Sequence, residues 1–277
     1  MKTLRNNCWK VLVLSIIATI IDIAGHIIDG TPLPNDPLSL ISKAIGIEGA
    51  VSVYFIICFS SISITFLIIE KWLPGNWVKK GLSFGISWAL IMYATVCEMN
   101  TILGTSIIAD IRMAFADAIP LIVLGILLGK VFASENRSSQ FFDKKHIVIF
   151  LIITLFYLIG RYFAYSIIKI ESGYSARPFS TFIWTISTGM TFGILYLFVG
   201  QYTNKSNPIK KVVLFGTGIM GVNWLIFNLF IPFIFQVSLS KVLVNIIGGR
   251  VIIDIVFITL GIYTVEKILN KYEVKSI

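Results

Sequence analysis

The chain alternates between long apolar runs and short polar breaks. Eight runs, at about 11–29, 47–69, 81–103, 113–133, 147–169, 179–201, 212–236 and 243–267, are each long enough to match the roughly 30 Å hydrocarbon core of a bilayer. None has the apolar–polar alternation of a half-buried strand, and a lipid-exposed strand satisfies its backbone only by closing into a barrel. The pattern predicts an all-α integral membrane protein with eight transmembrane helices. Composition agrees: 56% of residues are hydrophobic and 13% charged, where a soluble domain carries roughly 25% charged residues.

The basic residues set an orientation. Lys2, Arg5 and Lys10, then Lys71, Lys79 and Lys80, then Lys130, Arg137, Lys144 and Lys145, then Lys205, Lys210 and Lys211, then Lys267, Lys271 and Lys275 all fall on one side of the eight runs. The other side holds only Lys43, Arg112, Lys169, Arg177, Lys241 and Arg250. The positive-inside rule then predicts a multi-pass plasma-membrane protein with both termini in the cytoplasm. The formal charge of +9 reflects topology and contact with anionic lipid. Nucleic acid is excluded as a partner, because no basic soluble domain is present to bind it. The first run is too long for an ordinary signal-peptide core and reads as a retained span.

The second half of the chain echoes the first. Trp77-Val78-Lys79-Lys80 enters the third run and Pro208-Ile209-Lys210-Lys211 the seventh. Gly85 and Trp88 answer to Gly221 and Trp224. Arg112, Asp117 and Gly125 answer to Arg250, Asp254 and Gly261, and Asp22 to Arg161. These pairs stand about half the chain apart. They predict two parallel four-helix repeats, residues 1–133 and 147–277, about a pseudo-twofold along the membrane normal, joined by a cytoplasmic linker at 134–146.

Charges inside a bilayer cost several kcal/mol and persist where they are paired, hydrated or useful. Here Asp22, His26, Glu98, Arg112, Asp117, Arg161, Arg250 and Asp254 all fall toward the outer ends of their runs. This predicts a polar outer chamber above an apolar inner floor, with these eight residues as candidates for substrate binding or proton coupling. Asp22 and His26 are spaced i, i+4 and share a helix face, as do Arg250 and Asp254, which predicts a local pair in each case. The equivalence of Asp22 and Arg161 predicts a bridge between the halves. Gly125 and Gly129, with Gly216, Gly218 and Gly221, are candidate helix-packing glycines.

Motifs for other chemistries are missing. The two histidines, His26 and His146, fall on opposite faces, and Cys8, Cys58 and Cys97 lack metal-ligand spacing. Neither a metal nor a cofactor is expected. Gly81-Leu82-Ser83-Phe84-Gly85 spells Gly-x-Ser-x-Gly but falls inside a predicted membrane helix and not at a strand-to-helix turn, so there is no nucleophile elbow, and there is no His-Glu-x-x-His. Asp117 and Asp254 lack the glycine-rich surround expected of an intramembrane aspartyl protease. The reading favoured by the sequence is a permease or exporter acting on a small-molecule or lipid substrate, with membrane lipid as its surroundings. The alternatives are a membrane-embedded enzyme acting on a lipid head group, with Arg112, Arg161 and Arg250 holding phosphate, and a non-catalytic subunit or sensor.

Overall fold

The computed structural model describes residues 2–30, 36–134, 144–203 and 207–274. Eight helices are long and apolar enough to cross a membrane: α1 (Asn7–Asp29), α2 (Ile47–Trp72), α3 (Trp77–Leu103), α4 (Ile107–Phe132), α5 (Lys145–Ile168), α6 (Pro178–Tyr202), α7 (Pro208–Asn228) and α8 (Lys241–Leu269). Among the described residues the only strand-like contact is one antiparallel bridge, Leu38 to Phe235. The protein is an all-α polytopic membrane protein. With eight crossings, both chain ends fall on one face of the bundle, the terminal face. The loops after α1, α3, α5 and α7 lie on the opposite, far face. Most of the proposed linker (residues 135–143), and Pro32 and Pro34 of the first loop, lie outside the described residues.

Local chemistry sets the helix ends. The Asn76 side chain accepts from the Lys79 amide to start α3, and Asn207 accepts from Lys210 to start α7, with Pro208 in the first turn. Gly104, at φ 71°, closes α3 in the left-handed conformation. The seventh apolar run does not form one helix to residue 236. Pro232 has no N–H to give the Asn228 carbonyl, so α7 ends there and a short helix, Phe230–Ile234, follows. Pro120, by contrast, sits within an unbroken α4. Three stretches wind as π-helix: Ala164–Ile168, Leu214–Gly221 and Lys241–Ile252. Such winding is rare and concentrates at functional sites.

Lipid tails are as apolar as leucine, so membrane helices associate through close packing and internal hydrogen bonds. The tightest seam joins α3 and α4. Gly81 and Gly85 on α3 meet Gly125 and Gly129 on α4, backbone against backbone. A methyl group at Gly125 would stand 2.6 Å from the Gly85 Cα and collide with the Gly81 carbonyl. Gly216 on α7 lies against Thr259 of α8, and Gly221 faces Ile255. Gly218 is exposed, and a Cβ there would meet only Leu214, at 3.8 Å; it makes no helix contact.

The principal packing partners are α1 with α2 and α4, α3 with α4 and α6, α5 with α6 and α8, and α7 with α2 and α8. Helices α1–α4 therefore meet α5–α8 along two seams, α3 with α6 and α2 with α7. The core between them is aromatic: Trp88 packs edge-on against Phe227, and Trp224 against Phe192.

Candidate functional site

The eight charged candidates fall into two clusters that do not share a partner. All but the exposed Arg112 lie on or beside the inward stripe of their helices. On α1 that stripe runs through Val11, Ser15, Ala18 and Asp22, and on α5 through Ile153, Tyr157, Arg161 and Ala164.

The first cluster joins α1 to α4. Gly25 is the closest-packed point: a Cβ there would lie 3.2 Å from that of Ala116. The next residue on each helix is thereby brought within reach, and His26 Nε2 stands 3.0 Å from Asp117 Oδ1. Asp22 Oδ2 lies 4.0 Å from the same imidazole nitrogen. One donor atom from each of Asp22, His26 and Asp117 lies within 4.8 Å of the other two. The Asp22 side chain is fully buried, and neither of its oxygens has a hydrogen-bond partner among the described residues. His26 is one-third exposed and links the cluster to the surroundings. One turn outward, Asp29 faces Arg112 at 3.6 Å, and Arg112 itself is largely exposed.

The second cluster joins α3, α5 and α8. Arg161 is fully buried, with Nη1 3.3 Å from Glu98 Oε1 and Nη2 2.8 Å from Asp254 Oδ2. Its guanidinium lies between the rings of Tyr157 and Trp184, 5.4 and 5.1 Å from their centroids. Trp224 Nε1 donates to Asp254 Oδ2 at 2.9 Å. Arg250 Nη1 donates to Glu98 Oε2 at 3.1 Å, and Nη2 donates to the Glu171 carbonyl at 3.2 Å.

The geometry replaces both contacts expected of the arginines, Asp22–Arg161 and Arg250–Asp254. Asp22 and Arg161 do not pair: α1 packs on α2 and α4, where Asp22 meets His26 and Asp117, while Arg161 on α5 reaches Asp254 on α8 and Glu98 on α3. Arg250 does not pair with Asp254. It lies in the π-helical stretch, whose wider winding turns it toward Glu98 and the α5–α6 loop. Glu98, Arg161 and Asp254 are buried against one another, in place of lining an open chamber. The apolar floor is also interrupted. Near the terminal face Lys80 is buried against Glu70 and Ser134. Lys211 is buried against Glu266 at 2.8 Å, and Tyr196 donates to the same carboxylate oxygen.

The clusters differ in charge balance. The second holds two guanidiniums and two carboxylates and is neutral by itself. The first buries two carboxylates with one imidazole and no fixed cation. An uncompensated buried charge costs several kcal/mol, so this cluster takes up protons, one of them shared between the two carboxyl groups, or a cation from solution.

The ties between α1–α4 and α5–α8 concentrate toward the far face. Besides Glu98, they include the Leu38–Phe235 bridge, the Ser39 and Ser42 hydroxyls on the Phe233 and Ile234 carbonyls, and Arg177 on the Thr101 and Ile102 carbonyls. Near the terminal face the ion pairs described above each stay within one set of four helices. An open groove of ≈450 Å³ lies there between α3 and α6, lined by Asn76, Val78, Lys79, Leu82, Ser83, Ile86 and Phe198.

Trp184, Trp224 and Tyr157 complete the second cluster and were not legible as site residues, since an aromatic in an apolar run carries no sign of its partner. Glu98, one of the eight candidates, is the hub of two arginines, a pairing that the sequence did not indicate. Compared with family models, with curated proteins and with solved structures, the chain matches none of them.

Proposed function

We propose that this protein is a membrane permease or exporter whose two four-helix halves move against each other, with Asp22–His26–Asp117 as the cation-responsive centre and Glu98 as the latch. The observation that carries this reading is the contrast between the clusters: one is buried and neutral through its own fixed charges, while the other holds two carboxyl groups beside one imidazole and is partly exposed through His26. A buried ion-pair network fits a fastening, and a cluster compensated by protons or a cation from solution fits an exchangeable ligand.

The packing supports the two-repeat reading. Exchanging each helix for the one four places later turns α1–α4 into α5–α8, α1–α2 into α5–α6, α3–α4 into α7–α8, and α3–α6 into α7–α2, and every one of these contacts is present. In that scheme Asp22 and Asp117 occupy the positions of Arg161 and Asp254. The second half carries its own permanent cation where the first carries an acid. With the termini cytoplasmic, the protein is fastened outside and grooved inside.

The test is flux through proteoliposomes of the purified protein, with a panel of labelled small solutes and divalent cations driven by an imposed pH gradient. At least one solute is expected to cross faster than in empty liposomes, and Asp117→Asn is expected to cut that flux by about tenfold or more, the loss typical of a coupling of 1.4 kcal/mol or above. Turnover of a labelled lipid without any flux would transfer the role to the enzyme reading. The sealed Glu98–Arg161–Asp254 bridge also suits a non-catalytic subunit. That reading gains if neither flux nor turnover is seen and the charge variants only lower stability.

A further inference from the structure

We infer that Asp22, His26 and Asp117 form a binding site for one divalent first-row transition cation, of the Zn²⁺, Mn²⁺ or Co²⁺ type. The inference deepens the role proposed for this cluster and rests on reading it as the exchangeable centre.

Three observations converge on it. The donor atoms are already gathered: His26 Nε2 is 3.0 Å from Asp117 Oδ1 and 4.0 Å from Asp22 Oδ2, and one donor atom from each of the three residues lies within 4.8 Å of the others. A metal held at about 2.0–2.2 Å from each donor needs adjacent donors about 3.0–3.5 Å apart, so closure requires side-chain shifts of an ångström or less. Both oxygens of the fully buried Asp22 carboxylate lack a hydrogen-bond partner while the group points at the imidazole; a buried polar group is rarely left so. Once a metal displaces the proton shared by the two carboxyl groups, they and a neutral imidazole carry the charge of minus two that a divalent ion cancels.

Donor chemistry narrows the ion. Ca²⁺ takes six to eight oxygen ligands and Mg²⁺ a strict octahedron of oxygens, which a site with one nitrogen and two carboxylates serves poorly. A mixed imidazole and carboxylate set without thiolate suits borderline divalent metals. Three protein ligands leave a fourth position open, as in sites where a ligand exchanges, unlike the closed four-ligand sites of structural zinc. The partial exposure of His26 places that opening toward the surroundings, and Asp29, one turn outward on the same helix, supplies a carboxylate along the approach.

The experiment uses the purified full-length protein in detergent with Zn²⁺ alone, followed by calorimetry, and with Co²⁺ alone, followed by its visible absorption. One ion per chain is expected, with a Co²⁺ spectrum of nitrogen and oxygen ligation. Asp22→Asn and Asp117→Asn, which keep the shape of the side chains, are expected to weaken binding about a hundredfold, at the upper end of what even an outer-shell contact is worth. Gly218→Ala, on the outward face of α7, is expected to leave it unchanged. Saturating Zn²⁺ should also raise the unfolding temperature of the wild type and not that of Asp22→Asn. Absence of stoichiometric binding by folded wild-type protein, or equal binding by the two asparagine variants, overturns the inference. Neither outcome touches the permease reading, because binding is measured without flux, and solute flux can persist in a protein that binds no metal.

Discussion

Arg161→Met is expected to destabilise the protein by about 3–5 kcal/mol, the cost of leaving a buried charge without its partner. Arg161 is fully buried between Glu98 and Asp254. Methionine fills part of the space between Tyr157 and Trp184 but offers no charge. Glu98 keeps Arg250 as a partner. Asp254 keeps only the Trp224 ring N–H, which does not neutralise it. Adding Asp254→Asn should therefore restore most of the loss, because the orphaned charge is removed with its partner. Unfolding by denaturant in micelles, for the wild type, both single variants and the double variant, measures the coupling. If Arg161→Met unfolds like the wild type, the bridge carries no stability.

The second large effect is expected at the α3–α4 seam. Gly125→Leu places a side chain where the Gly81 carbonyl and the Gly85 Cα already stand, and backbone on a neighbouring helix cannot rotate away. Overpacking a core costs about 1–3 kcal/mol where side chains can yield; here none can, so the loss should exceed about 3 kcal/mol and most of the protein should fail to elute as a folded species. Gly218→Ala is the matched control. It faces outward from α7, and its variant is expected within about 0.5 kcal/mol of wild type, as for an ordinary surface substitution. Size-exclusion profiles and unfolding curves of the two variants separate them. Equal behaviour would mean that close approach of α3 and α4 is dispensable.

The architecture was legible because its cause is one-dimensional. A bilayer imposes span length and apolarity on each segment independently, so eight runs in the sequence become eight helices. Partners are another matter. The bridge expected between Asp22 and Arg161 assumed that symmetry-related residues face each other, which holds only beside the symmetry axis. The helices that touch across the halves are α3 with α6 and α2 with α7, so Asp22 stays with its neighbour α4 and Arg161 reaches across only to Glu98 on α3. Glu98 lies on one of those contacting helices and becomes the cross-link. The i, i+4 rule placed Asp22 beside His26, where α1 is regular. It failed for Arg250 and Asp254, where the chain leaves α-helical winding at a stretch containing Gly248 and Gly249. Nothing in the apolar pattern marks that change of winding.

The two clusters also show why residue type alone does not assign a role. Asp254 and Asp117 lie at corresponding depths in α8 and α4. One is held by a guanidinium and an indole, the other by a shared histidine and a second acid. In the proposed reading, fixed compensation makes a fastening, and a cluster without a fixed cation makes a site compensated by protons or a cation from solution.

The claim that the halves move against each other is tested most directly by distances between spin labels. Native cysteines are replaced, and labels are placed at Ser106 and Leu239 on the far face and at Lys79 and Ile209 on the terminal face. In the wild type the far-face pair is expected to give mainly one short distance. Glu98→Gln releases Arg161 and Arg250, so a second, longer far-face population should grow while the terminal-face pair shortens. Unchanged distances at both faces in folded Glu98→Gln protein would show the eight helices to be one rigid body and contradict the account.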